Sequence, residues 1–190
     1  MRPSYPGIPS QGLRAGDIAF ARMEKVNAEL LSITYGALVS ELLRMKGDSM
    51  NIETDIERIG QNIGVRLVDE FLAKSSAQAC QSFRDVMESL SKIGMKMFLG
   101  IDADLVELGS KSFLISFSEN PLNDFVELPR ELRESGFSYS IIYCGIIKGA
   151  LEQLHMKVDC RFSKDVLRGD ETNAIQVDLV DIIRHDEDDD

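Results

Sequence analysis

Two histidines, three cysteines and a shortage of basic side chains mark this 190-residue chain. His155 and His185 have no second metal ligand at helical or strand spacing, so neither zinc nor any other bound metal is expected. His155 ends a helical pattern, where an imidazole more often meets the negative end of the helix dipole than a substrate. Three cysteines without paired spacing make no disulfide framework and fit a reducing, cytosolic compartment. Lys and Arg number 21 against 32 Asp and Glu, a formal charge of −11. That balance argues against nucleic acid as a partner and against a generally cationic membrane surface, although a local basic patch remains compatible with it. No phosphate loop and no dinucleotide fingerprint is present. No apolar run approaches the roughly 20 residues of a membrane-spanning helix. The longest, Ser140 to Leu151, is interrupted by Lys148. Met1 to Gly16 holds Pro3, Pro6 and Pro9 with Gly7, Gly12 and Gly16 and lacks the apolar core of a signal peptide. A soluble protein with no catalytic constellation is expected.

What is present suffices for one domain with a real core, at 44% hydrophobic content. Residues 1–20 read as a flexible arm, 21–184 as the domain and 185–190 as an acidic tail. From Glu24 to Met45 the period is helical, with Leu31, Tyr35, Leu38, Leu42 and Met45 on one face. Gly47 is placed to cap its end. A second helix is expected from Asn51 to Lys74. Ile52, Ile56, Ile59, Ile63 and Leu67 make its stripe, while Val65, Val68 and Leu72 lie off it. A helix apolar on more than one side must be covered on more than one side, by its own domain or by a partner. Ser75 to Gln78 is a linker with a serine available as a cap. A third helix follows from Ala79 to Leu99. Phe83, Val86, Met87, Leu90, Ile93, Met97 and Phe98 share its apolar face. Gly94 interrupts that face, and since a mid-helix glycine costs about 1 kcal/mol against alanine, a close approach is expected there.

After Gly100 the period becomes two. Asp102 to Leu108 and Ser112 to Ser118 form a hairpin through Gly109-Ser110, with Phe113, Ile115 and Phe117 on one face. Leu122 to Pro129 is ambiguous between one helical turn and an extended segment, and Arg130 to Gly136 reads as a polar loop. Ser138 to His155 is apolar on nearly every side, hence a buried helix. Gly145 and Gly149, four apart, permit close backbone packing against it. Met156, Val158, Cys160 and Phe162 alternate with polar residues, and Ile175, Val177, Leu179 and Ile183 continue a last strand. The class is α+β: about four helices layered beside a small antiparallel sheet of two hairpins, in the order ααα-ββ-α-ββ.

Cys144 and Cys160 sit inside apolar patterns and read as buried hydrophobes. Cys80 follows polar residues and stands where the third helix is expected to begin, a place that stabilises thiolate.

These residues resemble a known family. Asn62-Ile63-Gly64-Val65-Arg66-Leu67, Cys80 with Phe83-Arg84, and Lys96-Met97-Phe98-Leu99-Gly100-Ile101 are similar to the small subunits of TRAPP, the transport protein particle that tethers vesicles, and within them to the Bet-three type. Ser32 to Val39 belongs to the same pattern. So do Asn120-Pro121-Leu122, Asp124 to Pro129, Cys144-Gly145, Gly149 to Glu152 and Leu167 to Asp170.

The resemblance implies a structural subunit of a vesicle-tethering complex in ER-to-Golgi transport, cytoplasmic and peripheral on those membranes. Exchange of nucleotide on a Rab GTPase would be a property of the assembly, the chain alone being no enzyme. The acidic tail after Arg184 would then lie near the Rab. It also implies pairing with other small subunits through the first two helices, as a heterodimer or, in isolation, a homodimer. Leu31, Tyr35, Leu38, Leu42, Ile56 and Ile63 would form that interface. Finally it implies a long-chain fatty acid, palmitate-like, held on Cys80 by a thioester in a buried channel. Phe83, Val86, Met87, Leu90, Gly94, Met97 and Phe98 would line it. The family's arginine before the cysteine is replaced by Ala79, with Arg84 the candidate substitute. Two other readings stay open: a binder of haem or an apolar ligand, since related folds hold both, and a cysteine acyl-transfer enzyme, which needs a base beside Cys80.

Overall fold

The computed structural model describes residues 10–46, 49–75 and 80–183. Four helices, three of them long, come first: α1 Ser10–Arg22, α2 Ala28–Lys46, α3 Ser49–Lys74 and α4 Phe83–Ser89. A π-helical turn, Leu90–Gly94, joins α4 to α5 Met95–Leu99. The hairpin β1 Asp104–Gly109 and β2 Ser112–Phe117 follows, then α6 Arg130–Glu134 and α7 Ile142–Glu152. The chain closes with β3 Met156–Lys164 and β4 Asn173–Ile182.

All strand pairs are antiparallel, in the order β1-β2-β4-β3, so the two hairpins meet along β2 and β4. Phe113, Ile115 and Phe117 pair with Val177, Ile175 and Asn173 across that seam. With Val158, Cys160 and Phe162 they form the buried sheet face, against which α7 lies. α3 packs on α7 from the other side. The contact depends on four glycines. A Cβ on Gly60 or Gly64 would strike the carbonyls of Ile142 and Ile146, and one on Gly145 or Gly149 those of Glu57 and Gln61. Lys148 reinforces the stack, 2.7 Å from Glu57 of α3 and 3.3 Å from Asp159 of β3. Burial alone would lower its pKa, but the two carboxylates carry it above the ordinary lysine value.

The α+β class and the antiparallel sheet of two hairpins agree with the sequence reading, while several boundaries differ. The arm expected over residues 1–20 is helical from Ser10 onward. Ala19 is fully buried with Ile93 and Met97, and a Cβ on Gly16 would strike the Lys92 carbonyl, so α1 docks directly on the π turn and α5. Small residues that look like linker composition here permit helix packing. Residues 1–9, the Gly47 cap, most of the Ser75 to Gln78 linker and the tail 185–190 lie outside the described residues. Arg130 to Gly136 is not a loop throughout but contains α6, held by an Arg130–Glu134 pair at 2.7 Å. The helix expected over Ser138 to His155 is shorter at both ends, because Ser138 to Ile141 form turns and His155 takes φ 57.

Between β3 and β4, Asp165 caps the short 3-10 turn Val166–Arg168. One of its oxygens accepts from Leu167 N at 2.9 Å, and its own N–H donates to Asp170 Oδ2 at 2.7 Å. Its other oxygen is buried with no partner among the described residues. Burial pushes its carboxyl above the ordinary aspartate value, with Asp170 adding to the rise. A raised folded pKa means that ionisation penalises folding. Asp165→Asn keeps the cap and removes that penalty, and should stabilise the domain by about 1 kcal/mol at neutral pH. The gain is complete above the folded pKa and fades as pH falls through the ordinary aspartate range. Urea melts at pH 7 and pH 4 check it.

Candidate acylation site and subunit surface

The start of α4 is fixed by a capping box. Ser82 Oγ accepts from Asp85 N at 3.2 Å, and Asp85 Oδ2 accepts from Ser82 N at 3.0 Å and from Gln81 N at 3.1 Å. The Ser82 hydrogen bond, followed by that from Gln81, holds the Asp85 carboxyl below its usual range. Cys80 therefore stands two residues before the cap and not within the first turn, as the sequence suggested. Its side chain is exposed, with Sγ 3.5 Å from the Oγ of Ser89, the last residue of α4. Arg84 does not take the place of the arginine missing before the cysteine. Its guanidinium pairs with Glu107 of β1.

The apolar stripe behind the cysteine is real but divided. Phe83, Val86 and Met87 are buried in the main core, where Phe83 meets Phe113 edge-on at 5.4 Å, and Leu90 packs against them. Met97 and Phe98 belong instead to the cluster under α1, with Ile93 and Phe71. The π turn between the two groups shifts the helical phase, which a single three- and four-residue period cannot reveal. Gly94 is buried within that turn, yet a Cβ there would meet only ordinary neighbours, Leu90 Cδ1 at 3.5 Å and Phe71 Cε2 at 4.0 Å. The close approach expected at Gly94 occurs at the α3–α7 crossing instead.

The six residues assigned to a subunit interface also separate. Tyr35 and Ile56 are 5% and 0% exposed and belong to the chain's own core. Tyr35 Oη donates to the Tyr139 carbonyl at 2.5 Å, which draws it inward. Leu42 is half-buried against the same core. Leu31, Leu38 and Ile63 are exposed, and α2 adds Leu30 and Ile33, which the interface assignment did not include. Helical wheels find apolar faces, but they do not say which face the domain keeps. Cys144 and Cys160 are buried as expected, and burial, then the adjacent Cys144 thiol, push the Cys160 thiol up. No group of three metal-ligating side chains occurs among the described residues, and none of the described helices is long and apolar enough to cross a membrane.

Residues 31–178 match the family model described as transport protein particle (TRAPP) component. A trafficking protein particle complex subunit 3 from Dictyostelium discoideum is 41% identical over 172 residues, spanning 90% of this chain and 92% of that protein. The transport protein particle subunit bet3 of Schizosaccharomyces pombe is 40% identical over 174 residues, spanning 90% and 93%. Among solved structures, a trafficking protein particle complex subunit 3 from Naegleria fowleri, covalently bound to palmitic acid, superposes with a TM-score of 0.80. It is 45% identical and covers 85% of this chain and 99% of its own.

Proposed function

Since the chain belongs to the TRAPP component family and is of the subunit 3, Bet-three type, we propose that it is a core scaffold subunit of a vesicle-tethering particle in ER-to-Golgi transport. It would work in the cytoplasm, peripheral to those membranes. Guanine-nucleotide exchange on a Rab GTPase would belong to the assembled particle, to which this chain contributes surface and not a catalytic group. The observation that carries the reading is the breadth of the likeness, which takes in nearly the whole fold and is not confined to one motif. The exposed apolar side chains of α2 and α3 supply the surface such a subunit needs.

Cys80 would carry a palmitate-like chain by a thioester. Two observations support this: a relative of the same fold is covalently bound to palmitic acid, and the Cys80 side chain is exposed at the edge of the buried Phe83–Leu90 face. Ser89, whose Oγ lies 3.5 Å from this thiol, would flank the start of the acyl chain.

Co-expression with the other small TRAPP subunits tests the scaffold role. The wild-type chain should elute with at least one of them as a stable complex. Replacing exposed Leu31 and Leu38 by Glu should weaken that complex at least about tenfold, since each charge must be desolvated, while the circular dichroism spectrum stays native. A wild-type chain that remains a monomer beside all of them at micromolar concentration would remove the scaffold reading.

A further inference from the structure

A groove of about 460 Å³ runs between α2 and the segment 124–139. Its floor is apolar, with Val39, Leu43, Leu128 and Leu132. Three features there are unusual. Phe125 has φ 63, a left-handed backbone that a bulky residue adopts only under strain, and it is 76% exposed on the groove's edge. Tyr139 is 3% exposed, yet its hydroxyl has no hydrogen-bond partner among the described residues. That hydroxyl lies in the groove wall against Gly36, 3.3 Å from where a Cβ on that glycine would stand. Finally, the rim carries two exposed carboxylates, Asp124 and Glu127, and no ion pair among the described residues engages either.

A bound chain would give the buried Tyr139 hydroxyl a partner, cover the exposed Phe125 ring and pair with the two rim carboxylates. We propose that this groove binds a segment of a neighbouring protein chain carrying an apolar side chain beside a Lys or Arg. The apolar side chain enters against Val39, Leu43 and Leu128, covered by the Phe125 ring. A polar group of the same segment meets the Tyr139 hydroxyl. The Lys or Arg lies between Asp124 and Glu127. The proposal rests on the reading of the chain as a subunit of a larger particle and names what one neighbour must present. A second copy of this chain fits poorly, because a two-fold contact across the groove would bring together two sets of the same rim carboxylates on molecules of charge −11.

The test is a titration of the full-length, nitrogen-15-labelled chain with two capped peptides, acetyl-Ala-Leu-Arg-Ala-amide and acetyl-Ala-Leu-Glu-Ala-amide. The arginine peptide should shift the amides of Ile33, Gly36, Phe125, Leu128 and Tyr139 in a saturable way. It should bind roughly tenfold more tightly than its glutamate counterpart, because the rim attracts one and repels the other. Asp124→Lys with Glu127→Lys should reverse that order. Tyr139→Phe, which removes only the hydroxyl, should weaken binding roughly fivefold. Equal binding of both peptides, or shifts that do not saturate or fall elsewhere, would overturn the proposal. Sedimentation showing a dimer that Asp124→Lys with Glu127→Lys dissolves or tightens would overturn it in favour of a second copy. If the peptides fail while co-expressed TRAPP subunits still bind, the groove alone is disproved. If those subunits do not bind either, the subunit reading fails with it.

Discussion

Gly145→Ala should cost the domain about 3 kcal/mol or more, and Gly145→Val should leave little folded protein. Two effects oppose each other at this position. Alanine favours an isolated helix over glycine by about 1 kcal/mol. Against that, the new Cβ would sit inside the contact radius of the Glu57 carbonyl and 3.0 Å from Gly60 Cα, both rigid backbone of α3. No rotamer relieves such a clash, so α3 and α7 must part, and the layer that packs on the sheet opens. Overpacking wins because total stability is only about 5–15 kcal/mol. The melting temperature should fall by roughly 6–12 °C for alanine. Gly109→Ala is the control, since no atom lies within 4 Å of its Cβ position. Gly94→Ala is the contrasting case. With only ordinary contacts around it, it should be neutral or stabilising. A Gly145→Ala variant that melts with the wild type would show that the crossing is looser than described.

The second large effect concerns the lipid. If Cys80 holds a sixteen-carbon chain inside the fold, burying its methylenes at about 0.8 kcal/mol each contributes roughly 10 kcal/mol before ordering costs. Even a third of that exceeds what any single side-chain contact in the fold contributes. The acylated chain should therefore melt roughly 10 °C above Cys80→Ser. Cys80 is exposed, so the serine variant should fold and keep its native spectrum. Coincident melts of a verified acylated sample and Cys80→Ser would place the chain outside the core, as a membrane anchor.

Much of this architecture was legible in the residues. The period-two stretches around Phe113–Phe117 and Met156–Phe162 give the strands directly, because one face of each is buried and the other is not. Gly145 and Gly149 announced a close packing, and Gly60 and Gly64 on the facing helix answer it. Three features escaped. α1 hid behind glycine and proline, because its packing needs small residues and not a wide apolar stripe. The π turn at Leu90–Gly94 is a hydrogen-bond shift with no side-chain signature. The partition of α2, with Tyr35 inward and Leu31 and Leu38 outward, depends on tertiary contacts such as the Tyr35–Tyr139 hydrogen bond. Leu122 to Pro129 was ambiguous for a related reason. Phe125 stands out from a segment that is otherwise tied down through Ser32 Oγ, which donates to the Asp124 carbonyl at 2.5 Å.

A scaffold subunit built around a lipid on Cys80 is tested most directly by the intact mass of the full chain. The chain is incubated with palmitoyl-CoA and denatured so that the thioester is reachable, then weighed before and after hydroxylamine. One added palmitoyl group on the wild type, removed by hydroxylamine and never present on Cys80→Ser, is the expected result. A bare wild-type chain, or an adduct that persists in Cys80→Ser, would contradict it.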